Sequence, residues 1–464
     1  MSTHLPGSAQ EIAERALALS RADHTTVVVD ELASADLRWA CNGVTLLSSN
    51  QDRSVTVVSV VGRGEHAAAG VVTRRGAGPD ELAELVAAAD DAARRHPHAR
   101  DATDPPAARR DGDWDLPPER AAPEVLDATI DGLSGAFRRG ARDGLEHHGY
   151  ASHRHTTTYL ASSSGLRLRH AGAAGHLDAQ LRSADGTMSS WAGTGTTDFG
   201  EVAVAALDDE LRRRLHADLP LIEVPAGRHD TVLSPACVAD LMLHLYWSAE
   251  VERAAAGGSP LGASGRPRLG ERLAPAGLSL RSDPHDPVLR CAPFTVARES
   301  GAAGSVFDNG VPLAPTRWID DGVLRALPGS RRAAGAAGVP ATGPVDNLIL
   351  DGPAASAAGP DPAAGIERGL LVTSLWYIRD VDPARLLVTG VSRDGVHVVE
   401  DGRVVGRAAN LRFEESSLEV LARAVAVGPA RRTVGREGGP SLPRTVMPSL
   451  RVPDFRWTAT SDAV

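Results

Sequence analysis

The 464-residue chain contains no lysine; all 49 of its basic residues are arginine. A Walker P-loop needs a lysine beside the phosphates, and a pyridoxal Schiff base or an amine nucleophile needs the same side chain. Those chemistries are excluded. Cysteine is scarce too: Cys41, Cys237 and Cys291 stand far apart with no CxxC pair. This argues against a disulfide framework and a cysteine-based structural zinc site, and it suits a reducing compartment. Long apolar runs are missing. Stretches such as Val55–Val61 end after a few residues, whereas a membrane-spanning helix needs about 20. Met1–Gln10 has neither the basic start nor the apolar centre of a secretory signal. The expectation is a cytoplasmic protein without membrane contact. The net charge of −10 disfavours direct nucleic-acid binding, because arginine and lysine neutralising phosphates supply most of that affinity.

Hydrophobic residues make up 42% of the chain, enough for packed cores. Gln10–Ala22 carries a helical stripe through Ile12, Ala13, Ala16 and Leu17. Strands follow at 25–30 and 37–40. Asn42-Gly43 then signals a hairpin, and Val55–Val61 and Ala68–Thr73 continue the meander. Pro79–Arg95 reads as a helix. His96–Pro123 is rich in Pro, Arg, Asp and Ala without periodicity and reads as an exposed linker. Glu124–His147 is amphipathic, more strands follow, and Phe199–His216 is again helical. Helix–meander–helix therefore occurs twice. Beyond Ala226 a strand at 231–233 leads into a helix over Pro235–Ala255. The remainder is short strands punctuated by Asp321-Gly322, Asp394-Gly395 and Asp401-Gly402, which suggests a barrel-like β domain. The fold class expected is α+β. An N-terminal α/β region spans 1–95, a linker 96–123, a central α/β region 124–222 and a C-terminal β-rich domain 223–464.

The search for a catalytic centre finds little. Zinc peptidases use HExxH or HExxxH, in which two imidazoles hold the metal and a Glu activates water. None of the 16 histidines is followed by Glu. The densest group is His147, His148, His153 and His155, and an unconventional metal site there would make the chain a stand-alone hydrolase. The plainer reading is a helix end followed by one strand face. A GxSxG nucleophile elbow is absent, and Ser162–Ser164 before Gly165 reads as a turn. Gly329–Gly338 is a small-residue loop. The acidic pairs Asp208/Asp209, Glu414/Glu415 and Asp320/Asp321 are sequence neighbours, poorly placed as acid/base dyads and better read as solvated surface.

Several stretches, in order, resemble one family. Pro225–Leu241 is similar to the entry of the C-terminal region of the TldD/PmbA family. Val306–Pro312 with Trp318–Leu324 resembles its paired turn motifs, and Gly369–Thr373, Thr389–Gly402 and Pro448–Asp454 fit as well. Leu245–Trp247, Leu375–Arg379 and Asn410–Phe413 look closest to actinobacterial TldE-like members. In this family TldD-like subunits carry HExxxH on the helix after the entry strand, and a late cysteine completes their zinc site. TldE-like (PmbA) subunits lack these ligands and pair with TldD. Here His244 is followed by Leu245, Ala249 stands at the second histidine, and Val434 of Val434–Gly438 replaces the cysteine. The resemblance thus implies a chain without catalytic or metal-binding residues of its own. It would partner a TldD-like zinc peptidase, with the zinc in that partner, and act on unfolded or precursor peptides. Trp376, Tyr377, Arg379, Asn410 and Arg412 are the candidate peptide-groove or interface residues, since Trp, Tyr and Arg are enriched in interface cores. A peptide-binding regulatory module is the further alternative.

Overall fold

A computed structural model describes residues 6–119, 123–301, 304–353 and 361–461. The chain opens with α1 (Ala9–Leu19), which Ser8 and Glu11 close with a reciprocal capping box. Then come β1 (His24–Ala40), β2 (Gly43–Val61), β3 (Ala68–Arg75) and α2 (Leu82–Arg95). The same order repeats in α3 (Asp127–Asp143), β4 (Leu145–Ser162), β5 (Arg167–Ser183), β6 (Ser189–Thr196) and α4 (Val204–Leu215). The two meanders meet at β1 and β4, paired antiparallel from Thr26↔Ser162 to Trp39↔Gly149. They form one six-stranded sheet in the order β3-β2-β1-β4-β5-β6.

Alternation along the strands decides what each face meets. Val27 and Val29 pack with Tyr159 against the first helices. Leu37 and Trp39, further along, pack with residues of α3 and α4. Val28 and Leu160 point the other way, onto Phe294 of the C-terminal region. Helices thus cover one face and the C-terminal region meets the other, while the first half of β2 stays exposed.

Two local expectations change. The hairpin turn is Cys41-Asn42, with φ of 48° and 62°, and Gly43 already pairs with Ala40. Asn42 sets this register: its side chain donates to Leu145 O and accepts from His147 N, both at 2.8 Å. The described part of the 96–123 stretch is mostly exposed, as expected, but it is pinned at Ala102 and Trp114. Trp114 is 2% exposed and sits edge-on to Tyr159, with ring centroids 5.7 Å apart. Tyr159 donates its hydroxyl to Leu116 O at 2.7 Å. Without periodicity, the sequence carried only this single aromatic as a sign that the strap is anchored. Residues 120–122 of that stretch lie outside the described residues.

In the C-terminal region β7 (Gly227–Leu233) runs into α5 (Pro235–Trp247). Ser234 caps the helix and Pro235 begins it. Eleven of its thirteen residues are buried, so α5 is a core helix. The longer helix expected over Pro235–Ala255 breaks at Ser248 and resumes only over Val251–Ala255. A curled sheet surrounds α5. In spatial order its strands are 375–382, 387–392, 410–416, 450–461, β7, 368–372, 396–400 and 403–408. A second sheet of six short strands packs on the same core. The Asp-Gly pairs at 321, 394 and 401 are turns with positive φ at both residues.

Candidate functional site

The helix–tail contact where the resemblance would put zinc is built on a different residue. Asp240, in the apolar middle of α5, turns its carboxylate onto the tail segment 434–438. Its oxygens accept from the backbone N–H groups of Arg436, Glu437 and Gly438 at 2.9, 3.2 and 2.8 Å. A Cβ on Gly435 would fall 2.2 Å from Asp240 Oδ1, so only glycine admits this approach. Burial pushes the Asp240 pKa up to about 7, against the pull of the three N–H donors.

His244 sits one turn further on. Its Nε2 meets Asp380 at 2.8 Å. Leu245 is buried, and Ala249 lies beyond the end of α5. Val434 packs with Trp191 and Ala236 in an apolar cluster. Zinc needs three or four N, O or S ligands converging on a point. Here one carboxylate is consumed by backbone donors, one imidazole is paired elsewhere, and the remaining positions carry hydrocarbon. The residues present do not fit the metal.

The tail continues into a polar joint between the two regions. Arg436 lies between the rings of Trp191 and Trp376, 5.5 and 5.4 Å from their centroids. It forms an ion pair with Asp394 and donates to Ser374 Oγ at 3.1 Å. Asp394 also accepts from Gln180 of β5 at 2.7 Å. Asp178, two residues earlier on the same face, still shows 31% of its side chain to solvent. The surrounding protein nonetheless raises its pKa to about 6, with Arg436 acting in the opposite sense.

Three of the five candidate residues converge here. Trp376 stacks on Arg436. Arg379 pairs with Glu437, whose other oxygen accepts from Ile378 N at 2.7 Å. Tyr377 has φ of 57° and is 55% exposed, and the Arg379 guanidinium covers its ring at 4.2 Å. Asn410 and Arg412 stand two strands away in the curled sheet; Arg412 pairs with Val391, which pairs with Trp376. Arg412 is exposed and does not join the tail contact.

The four clustered histidines separate. His147 meets Asp208 at 2.9 Å, His148 meets Glu146 at 3.4 Å, and His155 meets Glu119 at 3.0 Å. His153 lies 3.4 Å from Thr197 O. Among the described residues one metal-capable trio gathers, Cys41, Glu146 and His148. Arg182 already pairs with that Glu146 at 3.3 Å. Burial raises the Cys237 and Cys291 thiols to about 12, which removes them as nucleophiles.

Sequence reasoning missed Asp240, Asp394, Asp178 and Arg436. A single acid inside an apolar helix was the available signal for Asp240. Asp394 was visible only as half of a turn.

Comparison with known proteins bears on the family and the fold. The PmbA/TldA metallopeptidase C-terminal domain matches residues 226–459. No curated protein matches the chain. Among solved structures, TldE from Thermococcus kodakarensis superposes with a TM-score of 0.76 at 15% identity, covering 97% of this chain and 100% of that one. A putative modulator of a DNA gyrase from Thermotoga maritima gives 0.73 at 15% identity, with 97% and 100% covered. A putative modulator of DNA gyrase from Bacteroides thetaiotaomicron gives 0.72 at 15% identity, with 97% and 98% covered. The match over half the chain and the shared fold over nearly all of it make this chain a member of the TldD/PmbA family, with the fold of TldE.

Proposed function

We propose that the chain is the non-catalytic, TldE-like subunit of a two-chain zinc peptidase. It pairs in the cytoplasm with a TldD-like chain that holds the zinc, and the complex acts on unfolded or precursor peptides. The observation that carries this reading is the Asp240 contact. A carboxylate clamped by three backbone N–H groups occupies the helix–tail junction, and Leu245, Ala249 and Val434 supply no ligand atoms. A stand-alone metal hydrolase at His147–His155 is disfavoured, because those rings turn to four different partners.

Co-expression with a TldD-like chain bearing HExxxH tests the proposal. The two should co-elute on size exclusion, zinc should follow the partner, and hydrolysis of an unfolded polypeptide should need both chains. A chain that stays monomeric beside its matching partner sinks the proposal. So does chelator-sensitive hydrolysis by this chain alone.

A further inference from the structure

The C-terminal region does not sit flush on the sheet. Between the β4–β5 face and the loops 291–298 and 440–444 lies a cavity of about 350 Å³, within the range of ligand pockets. Small residues leave the room. Gly172 and Ala174 stand on the same face of β5 as His170 and His176, so the strand is bare between the two rings.

The charge lining the cavity is unbalanced. Arg154, Arg298 and Arg444 face a single carboxylate, Asp346. Arg298 is already neutralised: two of its nitrogens bind Asp30, both at 2.7 Å. Arg154 is exposed into the space, and no carboxylate pairs with it among the described residues. Arg444 donates one nitrogen to Ala173 O at 3.2 Å, while its Nε is buried without a hydrogen-bond partner. A buried guanidinium N–H lacking an acceptor is costly, and an anionic acceptor relieves the cost most. His170 and His176 do not add to the positive charge. Burial, helped by Arg444 and Arg290 at His170 and by Arg154 at His176, holds both imidazoles near a pKa of 4. On the side of the loops, half-buried Val296 and Leu313 give the cavity an apolar patch. Two guanidiniums without an ion pair against the one carboxylate of Asp346 leave an excess positive charge beside an apolar patch, which suits a ligand with a carboxylate next to a hydrocarbon group. The end of a peptide has that shape.

We propose that this cavity binds the carboxylate of a short peptide, with Arg154 and Arg444 taking the charge and Val296 and Leu313 the adjoining apolar side chain. The proposal rests on the peptide-handling reading above and adds a ligand site in this chain itself. The carboxylate can come from the peptide's C-terminus or from an acidic side chain.

Fluorescence anisotropy on the isolated chain tests it, with an N-terminally fluorescein-labelled Gly-Ala-Leu tripeptide as free acid and as C-terminal amide. A third probe, an amide ending in Glu, separates the two sources. The free acid should bind about ten-fold tighter than the Leu amide, the size expected for a charge-assisted hydrogen-bond pair. If the Glu amide binds as the free acid does, a carboxylate from either source serves. Weak binding of the Glu amide assigns the C-terminus. Arg154→Gln, at an exposed position, should keep the melting temperature and lose that difference. Arg444→Gln should weaken the free acid as well. Equal binding of acid and both amides overturns the proposal, as does no binding at millimolar peptide or an unchanged affinity in Arg154→Gln. No partner chain is present, so failure to form the two-chain complex leaves this result standing. A complex that forms and works while the isolated chain ignores the peptides removes this inference alone.

Discussion

Asp240 shows how one residue can be both a structural clamp and a titrating group. Its carboxylate holds the tail through three backbone N–H bonds, yet burial raises its pKa to about 7. In the unfolded chain an Asp titrates near 4 (about 3.9). Between those values the native state holds a proton that the unfolded state has released. The stabilisation from this group is therefore full below pH 4 and is lost as pH rises toward 7. Asp240→Asn removes one acceptor and introduces a donor facing N–H groups, at a cost of about 1–3 kcal/mol. The stability gap between wild type and variant should be wider at pH 5 than at pH 8, measured by urea denaturation at both. A gap that does not change with pH contradicts the assignment. At this scale the sequence was readable in part. Trp376, Tyr377 and Arg379 were singled out by residue type, and they lie beside the tail. Their partners Arg436 and Glu437 are about 60 residues later, a proximity that no local pattern carries.

At the scale of elements, turns and caps were the readable features. Asp-Gly pairs mark turns because only a few residue types adopt positive φ without strain. The β1–β2 turn falls one residue earlier than Asn42-Gly43 suggests, because Asn42 bonds sideways to β4. That leaves Cys41 at φ 48°, where a Cβ is strained. Cys41→Gly should raise stability by about 0.5–1 kcal/mol, the strain relieved less the added freedom of the unfolded chain. Asn42→Ala should lower it by about 1–3 kcal/mol through two lost side-chain hydrogen bonds. Thermal melts of both variants check the signs, and a destabilising Cys41→Gly contradicts the strain argument. The α5 boundary was legible at its start, where Ser234 and Pro235 begin the helix. Its end was not: apolar residues continue past Trp247, and the break at Ser248 answers to packing of the next segment.

The whole molecule is held at the joint between the sheet and the C-terminal region. Arg436 and Asp394 form its centre, and Asp394 has 1% of its side chain exposed. Removing one member of a buried pair strands the other charge, at a cost of about 3–5 kcal/mol. Arg436→Leu should lose about that much, and Arg436→Leu with Asp394→Asn should recover part of it. Denaturant unfolding of the two single variants and the double gives the coupling. Simple additivity argues against the pair. His170 and His176 titrate at the same joint. Both are held near 4, against about 6.5 for an unfolded histidine. Their folded pKa values are depressed, so their neutral forms add stability above pH 6.5 that is lost as pH falls toward 4. His170→Gln should therefore lose less stability than wild type between pH 7 and 4. An identical acid profile counts against the buried, neutral assignment.

The sequence by itself determined the excluded chemistries, the twice-used helix–meander–helix order and the family resemblance. Each of these lives in residue type and short-range order: missing lysine, alternating apolar residues, turn pairs and successive motifs. Only the tertiary structure decided that the two meanders share one sheet, that the exposed 96–119 strap is anchored through Trp114, and that Asp240 occupies the junction with the tail. Strand pairing and buried polar contacts join residues far apart in the chain. Their energies come from desolvation and hydrogen-bond geometry at the meeting point, and neither exists until the chain has folded.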